Sequence, residues 1–272
     1  MRVASGGASL AVEVTGRSPT SGGCDVLLLH AGVTDRRGWN SVVEVLSDAH
    51  RCITFDARGY GETTYVPEDG WSRVADAIAV LDSVGADRVA VVGSSMGGQT
   101  AVDLVLAHPD RVAALVLIGP SIGGAPYPEP TDIENELYQR LEVAENAQLI
   151  DEINRTEAHI WLDGPATPEG RVAGPTRDLF LAMNAQALRA TDPGTPAAAA
   201  DAWSCLSQIT VSTLVLVGDL DVSELQVIDR QAAALIPQAR LVELAGRAHL
   251  PQLEDGSALG ATVADSLAAV GR

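Results

Sequence analysis

Six short runs rich in Val, Ile and Leu most constrain what this chain can fold into. They lie at residues 26–29, 51–55, 88–92, 112–118, 213–217 and 240–244. None alternates cleanly between apolar and polar positions, which is the pattern of a strand buried on both faces. Longer amphipathic stretches separate them. Residues 39–46, 71–84, 100–107, 227–235 and 259–270 carry helical spacing; in the second, Val74, Ile78 and Leu81 share one face and Gly85 ends it. Strands alternating with helices predict βαβ units and a mostly parallel central sheet flanked by helices, an α/β fold. Residues 3–15, split by Ser5-Gly6-Gly7, predict a hairpin adding antiparallel strands at one edge.

The middle of the chain breaks this rhythm. Between residues 125 and 206 no Val/Ile-rich run occurs. Pro126, Pro128 and Pro130 open the segment; residues 133–161 and 176–190 are helix-like, joined by the turn-rich GPATPEGRVAGP. The stretch TDPGTPAAAADAW predicts a further joint and a short helix. The expected organisation is a core domain built from 1–124 and 207–272, with 125–206 inserted as a helical cap over one sheet edge.

Composition narrows the function. The chain has 272 residues and a net charge of −18, and every one of its 18 cations is Arg. Such acidity opposes binding to a phosphate backbone, which needs clustered cations. Without Lys there is no P-loop, no Schiff-base lysine and no Lys base. A small, neutral or apolar ligand is favoured over an anion, which the overall field repels. Cys24, Cys52 and Cys205 are widely spaced with no CxxC, so neither a disulfide framework nor a metal site is expected. The N-terminus lacks a continuous apolar stretch and no run reaches the roughly 18 residues of a membrane span. These features predict a cytoplasmic protein that acts on a small-molecule substrate, without nucleic acid or membrane. They leave a homodimer open.

The chemistry concentrates in VAVVGSSMGGQTAVDLVLAHP, residues 89–109. A buried strand runs into Gly93-Ser94-Ser95-Met96-Gly97 and then directly into a helix. This is the G-x-S-x-G elbow, whose turn projects the serine hydroxyl at a helix N-terminus. Side chains at Gly93 and Gly97 would strike neighbouring backbone. Gly119-Pro120-Ser121-Ile122-Gly123 matches the same bare pattern, but the GAPYPEP that follows cannot form a helix, so Ser121 reads as a loop residue.

A serine needs a base, and the base an orienting acid. Of five histidines, His249 in LVELAGRAHLPQLED lies just past the last predicted strand, at the edge where strand C-termini gather. His30 ends a strand and fits a structural role. The acid should follow another strand, and STLVLVGDLDVSE offers Asp219 and Asp221. Asp221, three residues past Gly218, has room to reach an imidazole; Asp219 reads as a turn-capping carboxylate.

The order Ser95, Asp221, His249, together with LLLHAGVTDRRGW, FDARGYGET, VGSSMGG and GRAHLPQLE, resembles the α/β-hydrolase superfamily over nearly the whole chain except the insert. The resembling branch contains small esterases, lactonases, C–C bond hydrolases and cofactor-free haloperoxidases. The resemblance implies an oxyanion hole from the amides of Gly32 and Met96, each donor contributing roughly 3 kcal/mol at the transition state. Ala31 stands where relatives usually carry Gly. Ser94, where they often carry His, becomes a candidate substrate contact, as do Trp161, Phe180 and Met183 of the insert. FDARGYGET reads as a turn bracing the pocket floor. Asp35-Arg36-Arg37 reads either as polar substrate recognition or as a surface ion pair. The expected function is a cofactor-free serine hydrolase of a carboxylic ester or lactone acting through an acyl-enzyme. Three alternatives stand beside it: C–C cleavage of a vinylogous ketone, a haloperoxidase or perhydrolase, and a non-catalytic ligand-binding homologue.

Overall fold

The computed structural model describes residues 1–17, 24–198 and 201–270. Among the described residues nine strands form one sheet: β1 (Arg2–Ser5), β2 (Ala8–Thr15), β3 (Asp25–Leu29), β4 (Cys52–Phe55), β5 (Thr64–Tyr65), β6 (Val89–Ser94), β7 (Val112–Ile118), β8 (Ser212–Gly218) and β9 (Ala239–Leu244). The order is β1-β2-β4-β3-β6-β7-β8-β9, with β5 on β2. From β4 to β9 every pairing is parallel, whereas β1, β2 and β5 pair antiparallel. All six apolar runs are strands here, and residues 3–15 form the edge hairpin. The two-residue β5 carries no hydrophobic pattern to announce it.

The absence of alternation in the central strands has a direct cause: both of their faces are covered. On one side Val26, Leu28, Ala90, Val92, Leu214 and Leu216 meet α1 (Asn40–Leu46) and α9 (Gly256–Val270). On the other, Leu27, Leu29, Val89, Val91 and Val215 meet α2 (Arg73–Ser83), α3 (Met96–Ala107) and α7 (Ser223–Leu235). Successive residues of one strand therefore serve opposite cores. At roughly 1.5–3 kcal/mol per buried aliphatic side chain, this double burial is the main stabilising term of the sheet.

Between β7 and β8 the chain leaves the sheet for α4 (Asp132–Asn146), α5 (Ile150–Glu157), a π-helical turn (Ala158–Asp163) and α6 (Pro175–Ala187). The helix expected over 133–161 is thus broken. Gln148 adopts a left-handed φ of 54°, which reverses the chain after α4. In the joint that follows α6, residues 199–200 lie outside the described residues, and a 3₁₀ helix covers Trp203–Gln208. Among the described residues, no helix is long and apolar enough to cross a membrane.

Candidate active site

The site is built where β6, β7 and β8 end. Ser95 follows β6 directly and adopts φ 52°, ψ −114°, a strained conformation for a residue with a Cβ, costing about 1–3 kcal/mol. Two contacts enforce it. The Ser95 amide donates to the Ile118 carbonyl at 3.0 Å, and α3 begins at the next residue. The tight turn brings Gly97 so near β3 that a Cβ there would fall on the Leu29 carbonyl. A side chain on Gly93 would collide with the Gly97 backbone in the same way.

His249 arrives from the loop between β9 and the short α8 (Pro251–Glu254), and is 2% exposed. Its Nδ1 lies 2.8 Å from Asp221 Oδ2, and Asp221 sits in the turn after β8 with its other oxygen accepting from the Val222 amide at 2.7 Å. The imidazole occupies space left by Gly119, at the end of β7: a Cβ there would stand 2.9 Å from Nδ1 and 3.2 Å from the Asp221 carboxylate. Gly119 also has a left-handed φ of 50°. Among the described residues, no protein group hydrogen-bonds the Ser95 hydroxyl or His249 Nε2, and neither atom is sealed from solvent. Nε2 is thus free to act as a proton acceptor toward an incoming hydroxyl.

Two amide donors are likewise open. Among the described residues, the N–H groups of Gly32 and Met96 have no hydrogen-bond acceptor. The loop carrying Gly32 is braced by His30, whose Nε2 accepts from the Ala57 amide at 3.0 Å while Nδ1 lies 2.8 Å from the Ala31 carbonyl. That pattern fixes the tautomer with the proton on Nδ1. Burial lowers the His30 pKa and keeps the ring neutral.

The remaining candidates separate. Trp161, in the π-helical turn, lies against His249, the ring centroids 4.9 Å apart at 48°. Ser94 is fully buried and accepts from Gln252 Nε2 at 3.2 Å, so it stands behind the site instead of facing a ligand. Phe180 and Met183 are also buried. Phe180 packs with Ala31, Ala158, Leu162 and Leu250, forming the seam between the inserted helices and the core. Asp219 accepts from the Gly246 amide at 2.7 Å and ties a turn. Ser121 has no helix after it, and its amide donates to the Ser95 carbonyl. Asp35 pairs with Arg37, and Asp56 with Arg36, so both cations are spent internally. Arg58 is likewise held by Asp76 and Glu68.

Two features lay outside sequence reasoning. Gln252 links the His249 loop to the strand that carries Ser95. Glu134 of α4, 3% exposed, accepts from the Ser223 amide and hydroxyl and from Thr131 of its own cap, fastening α4 beside the Asp221 turn. The only advance signal was the T-x-x-E spacing of a capping box. Among the described residues, no group of three or more His, Cys, Asp and Glu side chains is placed to hold a metal ion. Burial pushes the Cys52 thiol up to about 12, which removes it as a rival nucleophile.

With parallel sheet, elbow and histidine loop assembled, the class follows: the chain belongs to the alpha/beta hydrolase family, whose model matches residues 26–262. A 2-hydroxy-6-oxononadienedioate/2-hydroxy-6-oxononatrienedioate hydrolase from Cupriavidus pinatubonensis is similar over 89% of this chain and 86% of its own length, at 29% identity. A 2-hydroxy-6-oxo-6-phenylhexa-2,4-dienoate hydrolase from Comamonas testosteroni is 30% identical over 116 residues, 40% of this chain. With that protein and others like it, the similarity spans only about 40% of the relative's length. Among solved structures, a hydrolase from Pseudomonas aeruginosa PA01 superposes with TM-score 0.77 at 25% identity, covering 98% of this chain and 97% of that one.

Proposed function

We propose that this chain is a serine hydrolase cleaving a carboxylic ester or lactone of a small, neutral or apolar substrate. The observation that carries the reading is the pairing of an unpartnered Ser95 hydroxyl on a strained elbow with an imidazole whose far nitrogen is held by Asp221. Ser95 Oγ attacks the acyl carbon as His249 Nε2 takes its proton, and the Gly32 and Met96 amides receive the oxygen as it becomes negative. His249 then returns the proton to the leaving oxygen, leaving an acyl-serine. Water attacks that ester with His249 again as base. Asp221 orients the ring and stabilises its charged form.

The neutral-substrate preference rests on the surroundings. Ala31, Leu162, Phe180 and Leu250, with Val33 and Trp161, make the wall between the core and residues 125–206 apolar, and the nearby Arg36 and Arg37 are already paired. Residues 125–206 act in this reading as a cap, with Trp161 as its contact to the base and to the acyl group.

Cleavage of a C–C bond in a vinylogous keto acid is the second reading. It is favoured by the names of the curated relatives and by Arg73. That half-buried cation has no carboxylate within 4.0 Å among the described residues, and it lines a small cavity with Met96 and Gly97. A panel of p-nitrophenyl esters, lactones and a 2-hydroxy-6-oxo-dienoate separates the two. Ester or lactone turnover that survives Arg73→Leu is the expected result. Turnover of the dienoate alone, lost in Arg73→Leu, would replace the first reading with the second.

A further inference from the structure

We propose that Tyr60 is a third hydrogen-bond donor of the oxyanion pocket, a catalytic residue drawn from a loop whose other side chains are structural. The proposal rests on the reading of Ser95 as nucleophile.

The placement comes from Gly32. A Cβ built on that glycine would lie 3.5 Å from Tyr60 Oη and 3.7 Å from Met96 Cβ. The phenolic hydroxyl thus lies beside Gly32, on the side of that residue to which the Met96 side chain also comes near. Its own oxygen has no hydrogen-bond partner among the described residues and is not sealed from solvent, although the ring is largely enclosed. A tyrosine hydroxyl in such surroundings usually finds a partner, because leaving it unpaired costs about as much as a lost hydrogen bond. Here the described residues supply none, and the hydroxyl lies beside Gly32, whose amide is likewise unpartnered among them.

The ring is held for this purpose. It packs edge-on against His30, centroids 4.9 Å apart, and His30 is itself clamped between Ala57 and Ala31. The Tyr60 amide donates to the Ala57 carbonyl at 3.1 Å. Asp56 closes the loop from below, accepting from the amides of Arg36 at 2.9 Å and Glu62 at 2.8 Å. Burial raises the phenol's pKa, so the group keeps its proton at neutral pH and serves as a donor. No proton is transferred: the O–H bond stays intact, and its hydrogen bond strengthens as the carbonyl oxygen becomes an oxyanion. That difference between ground state and transition state is what accelerates a reaction.

The test is Tyr60→Phe in the full chain, which keeps the ring. The expected result is a kcat lower by about 10- to 100-fold on a p-nitrophenyl ester, with KM changed less than about threefold and an unaltered melting temperature. Affinity for a trifluoromethyl ketone, whose adduct with Ser95 carries the oxyanion, falls in parallel, while affinity for the shape-matched methyl ketone does not. A kcat within twofold of the parent overturns the proposal. So does an equal loss for both ketones, which marks the hydroxyl as a ground-state contact only. If the parent chain turns over no ester and Ser95 takes no fluorophosphonate label, the serine-hydrolase reading fails and this proposal with it. A labelled parent with an indifferent Tyr60→Phe sinks this proposal alone.

Discussion

The elbow between β6 and α3 and the helical segment between β7 and β8 are held by opposite means. At the elbow, backbone meets backbone, Gly97 against the Leu29 carbonyl and Gly93 against Gly97, while nearby Gly119 yields its space to the His249 ring. In the segment, polar side chains do the holding. Asp163, fully buried, accepts from the amides of Gly170 and Val172 and from Arg177. Asn184 reaches Asn154 and Glu157 across α5 and α6. Arg171 joins Glu254 of α8, and Glu134 joins Ser223. Backbone contact demands one residue type at one position, whereas a polar tie admits many solutions. The difference predicts a rigid, residue-specific core site beneath a segment whose attachment is separable.

Breaking the elbow has the largest effect. Gly97→Ala places a methyl group on the Leu29 carbonyl, and the expected outcome is loss of the soluble folded protein or destabilisation beyond about 4 kcal/mol in urea unfolding. A stable, active Gly97→Ala protein would refute the close approach.

Next comes the acid. Asp221→Asn removes the carboxylate bound to His249 and is expected to lower kcat by roughly 10⁴-fold. Asp219→Asn, at the turn bonded to Gly246, is expected to change it less than about threefold. The reverse ranking in steady-state kinetics would exchange the two roles.

Asp163→Ala probes the other region. It leaves Arg177 and two amides without their acceptor, at a cost of about 3 kcal/mol or more. Limited proteolysis is expected to cut within residues 125–206 first, with the sheet surviving. Cooperative loss of the whole chain would show that the two regions are one folding unit.

The smallest effect lies in α7. Asp229 is fully buried with both carboxyl oxygens unpartnered, and burial, reinforced by Asp221, pushes its pKa well above the ordinary carboxylate range. A carboxyl raised on folding stabilises fully below its unfolded pKa of about 3.9, and that contribution is lost as pH rises through the folded value. Asp229→Asn should therefore melt higher than the parent at pH 8, with the gap closing toward pH 4. A constant gap across that range would contradict a titrating Asp229.

The same contrast explains what could be read without coordinates. Double burial writes itself as Val/Leu runs without alternation, so β3, β4, β6, β7 and β8 were legible; β9, at the sheet edge and only partly buried, was legible as a short apolar run alone. The elbow was legible because Gly-x-Ser-x-Gly between strand and helix has few other uses. Asp221 stood out by its distance from Gly218. The ties of residues 125–206 were not legible: Glu134 looks like any acidic residue on a wet helix until Ser223, 89 positions away, is folded against it. Ser94 was expected at the ligand because relatives often carry His there, and Phe180 and Met183 because helical spacing cannot say which side of a wall a residue occupies. Tyr60 went unnoticed because FDARGYGET, with its glycines, reads as a turn bracing the pocket floor.

The account's central claim concerns Ser95, and mass spectrometry after fluorophosphonate treatment tests it most directly. The expected result is a single adduct on the peptide containing Ser95, absent in Ser95→Ala and unchanged in Ser121→Ala. An adduct that persists in Ser95→Ala, or one that moves to Ser121, would contradict it.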